Sequence, residues 1–396
     1  EQRSVNGVTK TVQYGVQYTV KLSGFAADVN QVKVRIPAKV VKDESDNGNK
    51  EKDLIVYNVL RGKDEGGQTS DFLGKAIQRQ NIDNITFEKS IPDTVYNHET
   101  KEITDTTRAW DVSAQGDKSI IAWYVDSEIR NGIYKVHIAN NNQVPGQTTI
   151  TSNDIYANQI STTLFAFIGS SNKATATEAI TNIGLLNVSN VTHMQGMFMA
   201  TGVTAMTKLD LGDKFDTSSA ANMNMMFYMT GMNAMTDFDL GDNFDTSNVT
   251  TMDGMFNFTG MTAMTSLDLG DKFDTSKVTE MPGMFEMAGS ETMTSLNLGD
   301  KFDTSNVTIM SEMFSGTGYK AMTSLDLGDK FDTSKVTNMH DMFKETGYTA
   351  MSTLDLGDKF STSNVTNMTE MFNGTGHTAM TSLDLGPAFT KIADTN

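Results

Sequence analysis

Met264-Thr265-Ser266-Leu267-Asp268-Leu269-Gly270-Asp271-Lys272-Phe273-Asp274-Thr275-Ser276-Lys277-Val278-Thr279-Glu280-Met281 is the stretch that decides the fold. Leu267 and Leu269 alternate with Asp268, as a strand with one buried face requires. Gly-Asp and Asp-Thr-Ser follow, and their short polar side chains favour turns. Val278 and Met281 then begin a second short buried segment. The stretch therefore predicts a strand, a turn and a second apolar segment.

This pattern repeats with a fixed period of 29 residues. Met-Phe occurs seven times in the same phase, at Met197-Phe198, Met226-Phe227, Met255-Phe256, Met284-Phe285, Met313-Phe314, Met342-Phe343 and Met371-Phe372. A fixed period in this range is typical of a solenoid, in which each unit buries its apolar residues against its neighbours. We predict a mainly β fold with a leucine-rich-repeat-like solenoid of seven 29-residue repeats.

Two further columns of the repeat carry structural predictions. Methionines recur at the positions of Met194, Met197 and Met206, in phase with the buried residues, and we expect them in the core because thioethers fill irregular gaps. A glycine closes each copy, where a positive φ is expected at a corner of the chain. These glycines are Gly202, Gly231, Gly260, Gly289, Gly318, Gly347 and Gly376.

The first half of the chain has no such period. Alternation predicts one strand over Val12–Leu22, and further strands are predicted at Val32–Ile36, Leu54–Leu60, Ile85–Phe87, Ile120–Val125 and Ile133–Ala139. A helix is predicted at Ser70–Gln80. We expect a β-rich N-terminal domain at residues 1–100, an N-terminal cap of the solenoid at 101–190, and the solenoid at 191–396. A cap is expected because the first repeat would otherwise expose an apolar face.

Charge and composition restrict the function. The net charge is −18, and residues 191–396 hold 11 Lys, no Arg and 27 Asp plus Glu, which gives −16 there and −2 before residue 191. Such an acidic repeat region is unsuited to nucleic acid, since nothing would neutralise phosphates. No apolar run is long enough to span a bilayer, so no membrane insertion is expected. The absence of Cys excludes thiolate metal sites and cysteine nucleophiles.

The repeats resemble the BspA-like leucine-rich repeats of bacterial surface proteins, in a Met-rich form similar to that of lactobacillal surface adhesins. The blocks Leu-Asp-Leu, Phe-Asp-Thr-Ser-Asn-Val-Thr and Met-x-x-Met-Phe carry the resemblance, which covers residues 180–390 and is clearest at Leu296–Phe314 and Leu354–Phe372. The stretch Trp110–Ile138 is similar to the cap that precedes these repeats in the family.

The resemblance implies an extracellular protein on a Gram-positive cell surface, attached to the wall through segments missing from this chain. It implies an adhesin module for host adhesion, with a host glycan (a glycosaminoglycan or a mucin) or a matrix or epithelial surface protein as partner. Two alternatives stay open, an internalin-like module that recognises one host protein and a structural stalk. Sulfated polysaccharides would need the near-neutral first half (Lys118, Arg130, Lys135) or acidic conditions. We expect a monomer.

Candidate ligand-binding residues lie at positions of the repeat where the residue changes from copy to copy, while the rest of the repeat is constant. Each such set of equivalent positions is called a column. One column runs Val203, Met232, Met261, Ser290, Tyr319, Tyr348, His377, and another runs Met199, Tyr228, Asn257, Glu286, Ser315, Lys344, Asn373. Aromatic rings at the repeat pitch can stack on sugars or receive a protein. We therefore predict ligand-binding roles for Tyr319, Tyr348, His377, Tyr228 and Lys344. The alternative is that these positions lie in a surface loop, where contact with solvent tolerates sequence variation.

Two rows of acidic residues are candidate ligands for calcium. Asp210, Asp239, Asp268, Asp326, Asp355 and Asp384 recur on successive strands, and Asp213, Asp242, Asp271, Asp300, Asp329 and Asp358 form a second row beside several lysines. Like charges ~4.8 Å apart repel by ~1 kcal/mol in water or ~3.5 kcal/mol at an effective dielectric constant of about 20. The rows are interpreted as a solvated acidic face, with bridging calcium and an acidic ligand-binding face as alternatives. Asp43–Asn49 is interpreted as a solvated loop, because its EF-hand register places Leu54 at the carboxylate position.

No catalytic pattern is visible. His98, His137, His193, His340 and His377 have no partner spacing typical of a metal site or a triad, and no nucleophile-elbow, His-Glu-x-x-His or phosphate-loop motif occurs. The chain is therefore predicted not to be an enzyme and to need no cofactor or catalytic metal.

Overall fold

A computed structural model gives the fold, which is mainly β. It describes residues 59–62, 67–114, 116–141 and 155–390, and before them the backbone of five short strands. The chain divides into two compact units, Glu1–Tyr57 and Asn58–Asn396. None of the described residues forms a helix with the length and apolar character needed to cross a membrane.

The first unit contains the five short strands. They are β1 Gln2–Val5, β2 Val8–Thr11, β3 Thr19–Leu22, β4 Lys33–Ile36 and β5 Lys52–Ile55. Strands β1, β2 and β3 form one antiparallel sheet in that order, and β4 pairs antiparallel with β5. The strand predicted at Val32–Ile36 is confirmed by β4. Of the strand predicted at Val12–Leu22, only β3 is described. Residues 12–18 and the predicted loop Asp43–Asn49 lie outside the described residues.

In the second unit, the described residues before the repeats form eleven short strands. They are β6 Asp71–Phe72, β7 Lys75–Gln78, β8 Ile82–Phe87, β9 Tyr96–Asn97, β10 Glu102–Ile103, β11 Ala109–Asp111, β12 Ile120–Trp123, β13 Tyr134–Asn140, β14 Ile155–Tyr156, β15 Ile180–Thr181 and β16 Leu186–Asn187. Three 3-10 turns lie among them, at Arg79–Asn81, Asp126–Glu128 and Ile183–Leu185. The strands predicted near residues 85, 120 and 133 are confirmed by β8, β12 and β13.

A five-stranded sheet organises this part, in the order β11-β12-β13-β8-β15. Strands β11, β12 and β13 are antiparallel, whereas β8 pairs parallel with both β13 and β15. The sheet is covered on both faces: Ile120 and Ala122 belong to the main core, whereas Ile121 and Trp123 belong to a second cluster. This burial on both faces explains why every residue of β12 is apolar.

The helix predicted at Ser70–Gln80 is wrong. Strands β6 and β7 form an antiparallel hairpin there, which turns at Leu73 and Gly74, with φ of 46° and 86°. Two successive positive φ angles are typical of a tight hairpin turn and are incompatible with a helix. Arg79 is fully buried after the hairpin, and its Nη1 donates to the carbonyl oxygens of Thr163, Leu164 and Ala166. Tertiary contacts therefore decide the conformation of this segment.

The repeats are joined by parallel pairing at a constant step. Their short strands are β17 Lys208–Asp210, β18 Asp237–Asp239, β19 Ser266–Asp268, β20 Ser295–Asn297, β21 Thr353–Asp355 and β22 Ser382–Asp384. Paired residues are 29 positions apart, as in Leu267 with Leu296. A second row of single parallel bridges has the same step and runs through His193, Asn222, Thr251, Glu280, Ile309, Asn338 and Asn367. The strands pair two by two, as β17 with β18, β19 with β20 and β21 with β22, whereas the row of bridges continues through all seven copies.

The interior of the repeats consists of stacked rings and methionines. Phe198, Phe227 and Phe256 stack nearly parallel, with centroids 5.5 and 5.4 Å apart. The prediction that the Met column is core is confirmed, since Met194, Met197 and Met206 are fully buried. Leu209 and its equivalents Leu267, Leu296, Leu325 and Leu354 are buried, whereas Phe238 is half-buried and Leu383 is 40% exposed. The corner glycines have the predicted positive φ, between 51° and 63°.

One turn of similar form precedes the first Met-Phe copy. Ile160 bridges in parallel to His193, and the Phe165 ring stacks on Phe198 at 5.4 Å. Gly169 ends this turn with a positive φ, as Gly202 does in the next one. The segment therefore covers the apolar face of the first copy. The predicted division at residues 100 and 190 stays a prediction, and the five-stranded sheet contains residues on both sides of residue 100.

Candidate ligand-binding face

Three of the predicted site residues form a stack of rings. The centroids of Tyr319 and Tyr348 are 4.8 Å apart with an interplanar angle of 5°, and those of Tyr348 and His377 are 4.7 Å apart at 21°. Each ring follows a corner glycine. Backbone bonds from Thr349 N to Tyr319 O (2.9 Å) and from Thr378 N to Tyr348 O (3.1 Å) set the spacing. The three rings, hereafter the ring ladder, lie in successive copies on one side of the molecule.

The ring ladder presents edges to solvent more than faces. Because neighbouring rings stack at van der Waals distance, both faces of Tyr348 are covered, by Tyr319 and by His377. His377 is exposed, and among the described residues the ring that stacks on it is Tyr348, on one face. Burial raises the pKa of the Tyr319 phenol, and the Glu345 carboxylate raises it further. The ladder therefore offers a strip of hydroxyl groups and ring edges, with one stacking platform at its end.

Lys344 is not a free cation. Its Nζ lies 2.6 Å from Glu370 Oε2 and 3.0 Å from Asp341 Oδ2. Hydrogen bonds to Glu370 and Asp341 raise the pKa of Lys344, and the bond from Lys344 lowers the pKa of Glu370. The lysine thus neutralises two carboxylates in adjacent copies. A ligand that used this ammonium group would have to share it with them.

Tyr228 lies apart from the ring ladder. Its ring packs edge-to-face against Phe258, with centroids 6.3 Å apart. Met225 in the same copy is 37% exposed. The Met225 side chain is close to Gly254 in the next copy, at 3.6 Å from where a Cβ of that glycine would lie. The side chains of Met225, Tyr228 and Phe258, hereafter the apolar patch, form a second feature that is separate from the ring ladder.

Acidic groups lie between the two features. Asn257 Nδ2 donates to Glu286 Oε2 at 2.7 Å. Burial raises the pKa of Glu286, and the Glu312 carboxylate adds to the rise. Burial likewise raises the pKa of Asp253, with Glu280 and Glu312 as further causes. This side of the repeats therefore has uncompensated negative charge and is unsuited to anionic ligands.

The first Asp row has a structural role. Asp268 Oδ1 accepts from the backbone N–H of Gly270 at 3.0 Å, and the equivalent bond recurs at Asp210, Asp239, Asn297, Asp326, Asp355 and Asp384. Such bonds hold the turn after each strand. They also explain why Asn297 substitutes in this row, since an amide oxygen accepts the same bond.

The strand side has open grooves along the acidic rows. One, of about 660 Å³, is lined by Asp237, Asp239, Asp242, Asp268 and Asp271, and another, of about 530 Å³, by Asp326, Asp329, Asp355 and Asp384. Lys272 and Lys359 beside the second row donate to Asn243 Oδ1 and to the backbone oxygen of Asp329. Within the described part of the chain, no three His, Cys, Asp or Glu side chains converge to hold a metal ion.

One histidine has side-chain partners that the sequence does not reveal. His137 on β13 has Glu88 Oε1 at 3.1 Å from Nδ1 and Glu128 Oε2 at 3.0 Å from Nε2. Trp123 stacks on its ring at 5.4 Å. Glu88 is brought to His137 by the parallel pairing of β8 with β13, which residue spacing alone cannot reveal.

Comparison with known proteins places the repeats in a family. No curated protein and no solved structure matches the chain. One family model matches three times, over residues 170–291, 205–318 and 257–382. Together these matches span residues 170–382, which is more than half of the chain. The family is associated with BspA-like repeats. On this span, the chain belongs to the family described as Mycoplasma protein of unknown function, DUF285.

Proposed function

We propose that the seven repeats form one continuous leucine-rich-repeat-like solenoid, with the preceding sheet and turn as its cap, and that this solenoid is an adhesin module. Parallel pairing at a constant step of 29 residues and the stacked phenylalanines support the architecture. In this proposal the protein acts without catalysis on the surface of a Gram-positive bacterium. It holds a host glycan or a matrix component on the face that carries the ring ladder.

The ring ladder is the observation that carries this proposal. Tyr319 and Tyr348 are half-buried and His377 is exposed, and the core of the repeats is already filled by a separate buried phenylalanine stack, so folding does not explain a second stack of rings. A pyranose ring can pack its C–H face on the outer face of His377, as apolar sugar faces do on aromatic rings. The hydroxyl groups of Tyr319 and Tyr348 can both donate to and accept from sugar hydroxyls along the strip. The neighbouring acidic groups favour neutral over sulfated sugars at this face.

An array of immobilised host glycans and matrix proteins tests the proposal. We expect the whole chain to bind a defined subset, and the triple variant Tyr319→Ala, Tyr348→Ala, His377→Ala to lose at least tenfold in apparent affinity. Tyr228→Ala is the matched control, since it removes an aromatic ring from the other variable column, away from the ring ladder. Unchanged melting temperatures would show that all variants fold. Binding that survives the triple variant would refute the ring ladder as the site.

An internalin-like module is the second candidate, and the apolar patch favours it. Aromatic and Met side chains are enriched at protein interfaces, and Met adapts to partner shape. In this case a host surface protein should bind equally well after enzymatic removal of its glycans. Tyr228→Ala should then weaken binding, whereas the ring ladder triple variant should not. A structural stalk would bind nothing in either experiment.

A further inference from the structure

A cavity in the sheet region lies far along the chain from the ring ladder. It has a volume of about 600 Å³ and is lined by three segments: Asp83–Glu88 along β8, Glu128–His137 leading into β13, and Lys173–Thr181 before and along β15. This volume is within the range of small-molecule sites, about 300–1,000 Å³. The parallel pairing of β8 with β13 and β15 brings the three segments together.

Most carboxylates of this cavity are already bonded to protein donors. Asp83 accepts from the backbone N–H groups of Thr175 (2.8 Å) and Ala176 (2.9 Å) and from the Thr175 hydroxyl (3.1 Å). Glu88 and Glu128 flank the two ring nitrogens of His137. Three of the four lining carboxylates thus have protein partners, and the fourth, Glu178, is exposed.

The cations of the cavity are in the opposite situation. Arg130, Lys135 and Lys173 all line it and are exposed. Within the described part of the chain, no ion pair within 4.0 Å involves any of the three. Lys173 has one long bond, to the backbone oxygen of Asn131 at 3.5 Å. In a chain of net charge −18, a cavity whose unbonded groups are mainly cations is unusual.

The floor of the cavity is polar but neutral. Asn84 is buried and its Nδ2 donates to the backbone oxygen of Glu178 (2.6 Å) and to Thr181 Oγ1 (2.7 Å). Thr86 Oγ1 donates to Asn84 Oδ1 at 2.7 Å. These bonds use both N–H groups of Asn84 and the hydroxyl proton of Thr86, but Asn84 Oδ1 and Thr86 Oγ1 can each accept a further hydrogen bond and the Thr181 hydroxyl can donate one, which suits a ligand with several hydroxyl groups.

From these observations we infer that the cavity binds a saccharide that carries a carboxylate. Its carboxylate pairs with Arg130 and Lys135, since a guanidinium fork matches a carboxylate in two parallel bonds. Its hydroxyl groups face Asn84 and Thr86. This site is separate from the ring ladder and does not depend on the function proposed for the ladder.

Titration calorimetry on the whole chain, with glucuronate and N-acetylneuraminate as probes and glucose as the neutral control, tests the inference. At least one of the two acids should bind at least tenfold more tightly than glucose. The double variant Arg130→Ala, Lys135→Ala should reduce that affinity at least tenfold, and both side chains are exposed, so the fold should persist. Glu178→Gln should increase the affinity severalfold, because it removes an exposed negative charge from the lining of the cavity.

Three results would overturn the inference. The first is equal binding of glucose and the sugar acids, and the second is no binding of either acid. The third is binding of the acids that the Arg130 and Lys135 substitutions leave unchanged. The triple variant of the ring ladder should bind these probes like the original chain, and this separates a failure of this site from a failure of the adhesin proposal.

Discussion

The hydroxyl group of Thr259 donates a buried 2.7 Å hydrogen bond to the backbone oxygen of Phe227, 32 residues earlier in the chain. The same bond recurs from Thr201, Thr230, Thr317, Thr346 and Thr375 to Phe165, Phe198, Phe285, Phe314 and Phe343. Each threonine hydroxyl thus has an acceptor in the preceding turn, on a carbonyl that also accepts a backbone bond, as Phe227 O does from Thr230 N at 2.9 Å. This bond explains how a polar residue is accommodated at a buried position.

The fourth copy has Ala288 at this position, and Phe256 is the carbonyl it would face. Ala288→Thr should add the missing bond and stabilise the fold by about 1 kcal/mol. Thr259→Val, which keeps the shape but removes the donor, should destabilise by about 0.5–1.5 kcal/mol, because it removes one of the two hydrogen bonds to Phe227 O and leaves the one from Thr230 N at 2.9 Å. Urea unfolding of both variants measures the changes. A destabilised Ala288→Thr variant would contradict this account.

The stacked phenylalanines predict a dependence on position. Phe256 is fully buried between Phe227 at 5.4 Å and Phe285 at 5.6 Å. Phe256→Ala should cost about 3–5 kcal/mol through lost burial and a cavity. Phe372 is half-buried and stacks on Phe343, so Phe372→Ala should cost clearly less. Thermal unfolding of the two variants side by side provides the measurement, and equal losses would argue against the stack as a stabilising feature.

Two glycines with positive φ should respond differently to alanine. At Gly260, with φ of 52°, an added Cβ would lie 2.5 Å from Met264 Cβ, whereas at Gly270, with φ of 77°, it would meet nothing within 4 Å. Gly270→Ala should therefore cost only the backbone strain, about 1–2 kcal/mol. Gly260→Ala should cost a further 1–3 kcal/mol or so from overpacking. Equal melting temperatures for the two variants would show that the corner has room to adjust.

Acidification should stabilise the folded chain through the protonation of Glu286. Burial and Glu312 raise the pKa of Glu286 above 4.5, so the folded chain holds more protons than the unfolded chain just above that pH. The contribution of this group to stability therefore increases as pH falls from 7 toward that range. Glu286→Gln should raise the melting temperature at pH 7 and make it less dependent on pH.

Asp274 provides a control, because its pKa is shifted in the opposite direction to that of Glu286. Burial raises its pKa, but hydrogen bonds from Ser276 and the charges of Lys301 and Lys330 outweigh burial and lower the pKa below 3.8. The stability that this carboxylate contributes is present at pH 7 and is lost as pH falls through its lowered pKa. Asp274→Asn should therefore lower the melting temperature at pH 7. If Glu286→Gln did so as well, the uncompensated charge assigned to that side of the repeats would be wrong.

The constant period made much of the repeat region predictable. Spacing alone was enough to assign Leu267 and Met264 to the core and a positive φ to Gly260, because every copy repeats the same environment. The turn at Ile160–Gly169 escaped detection because Phe165 precedes Phe198 by 33 residues, not 29, and has Leu164 where later copies have Met. Leu-Phe followed by Gly four residues later was the signal that could have revealed it.

The candidate site was less predictable. The column that contains Tyr319, Tyr348 and His377 could be identified from the period, but not the face-to-face stacking that covers the middle ring. The two carboxylates around Lys344 come from different copies, and their reach depends on side-chain conformations that no pattern encodes. The environment of His137 depends on parallel pairing between distant strands. Ser70–Gln80 resembled a helix because its turn consists of Leu73 and Gly74, and nothing in its apolar spacing marks Leu73 as left-handed.

The constant step between paired copies also determines the order in which the chain can fold. Pairing any two neighbouring copies closes a loop of 29 residues, whereas pairing β8 with β15 joins residues about 95 positions apart, as Ile85 with Ile180. Loop-closure entropy grows with the length enclosed, and contacts distant in sequence slow folding. The repeats can therefore nucleate at any pair of copies and grow in both directions. The sheet that precedes the repeats therefore assembles more slowly. In a newly made chain, the apolar surface of the first copy stays exposed longest.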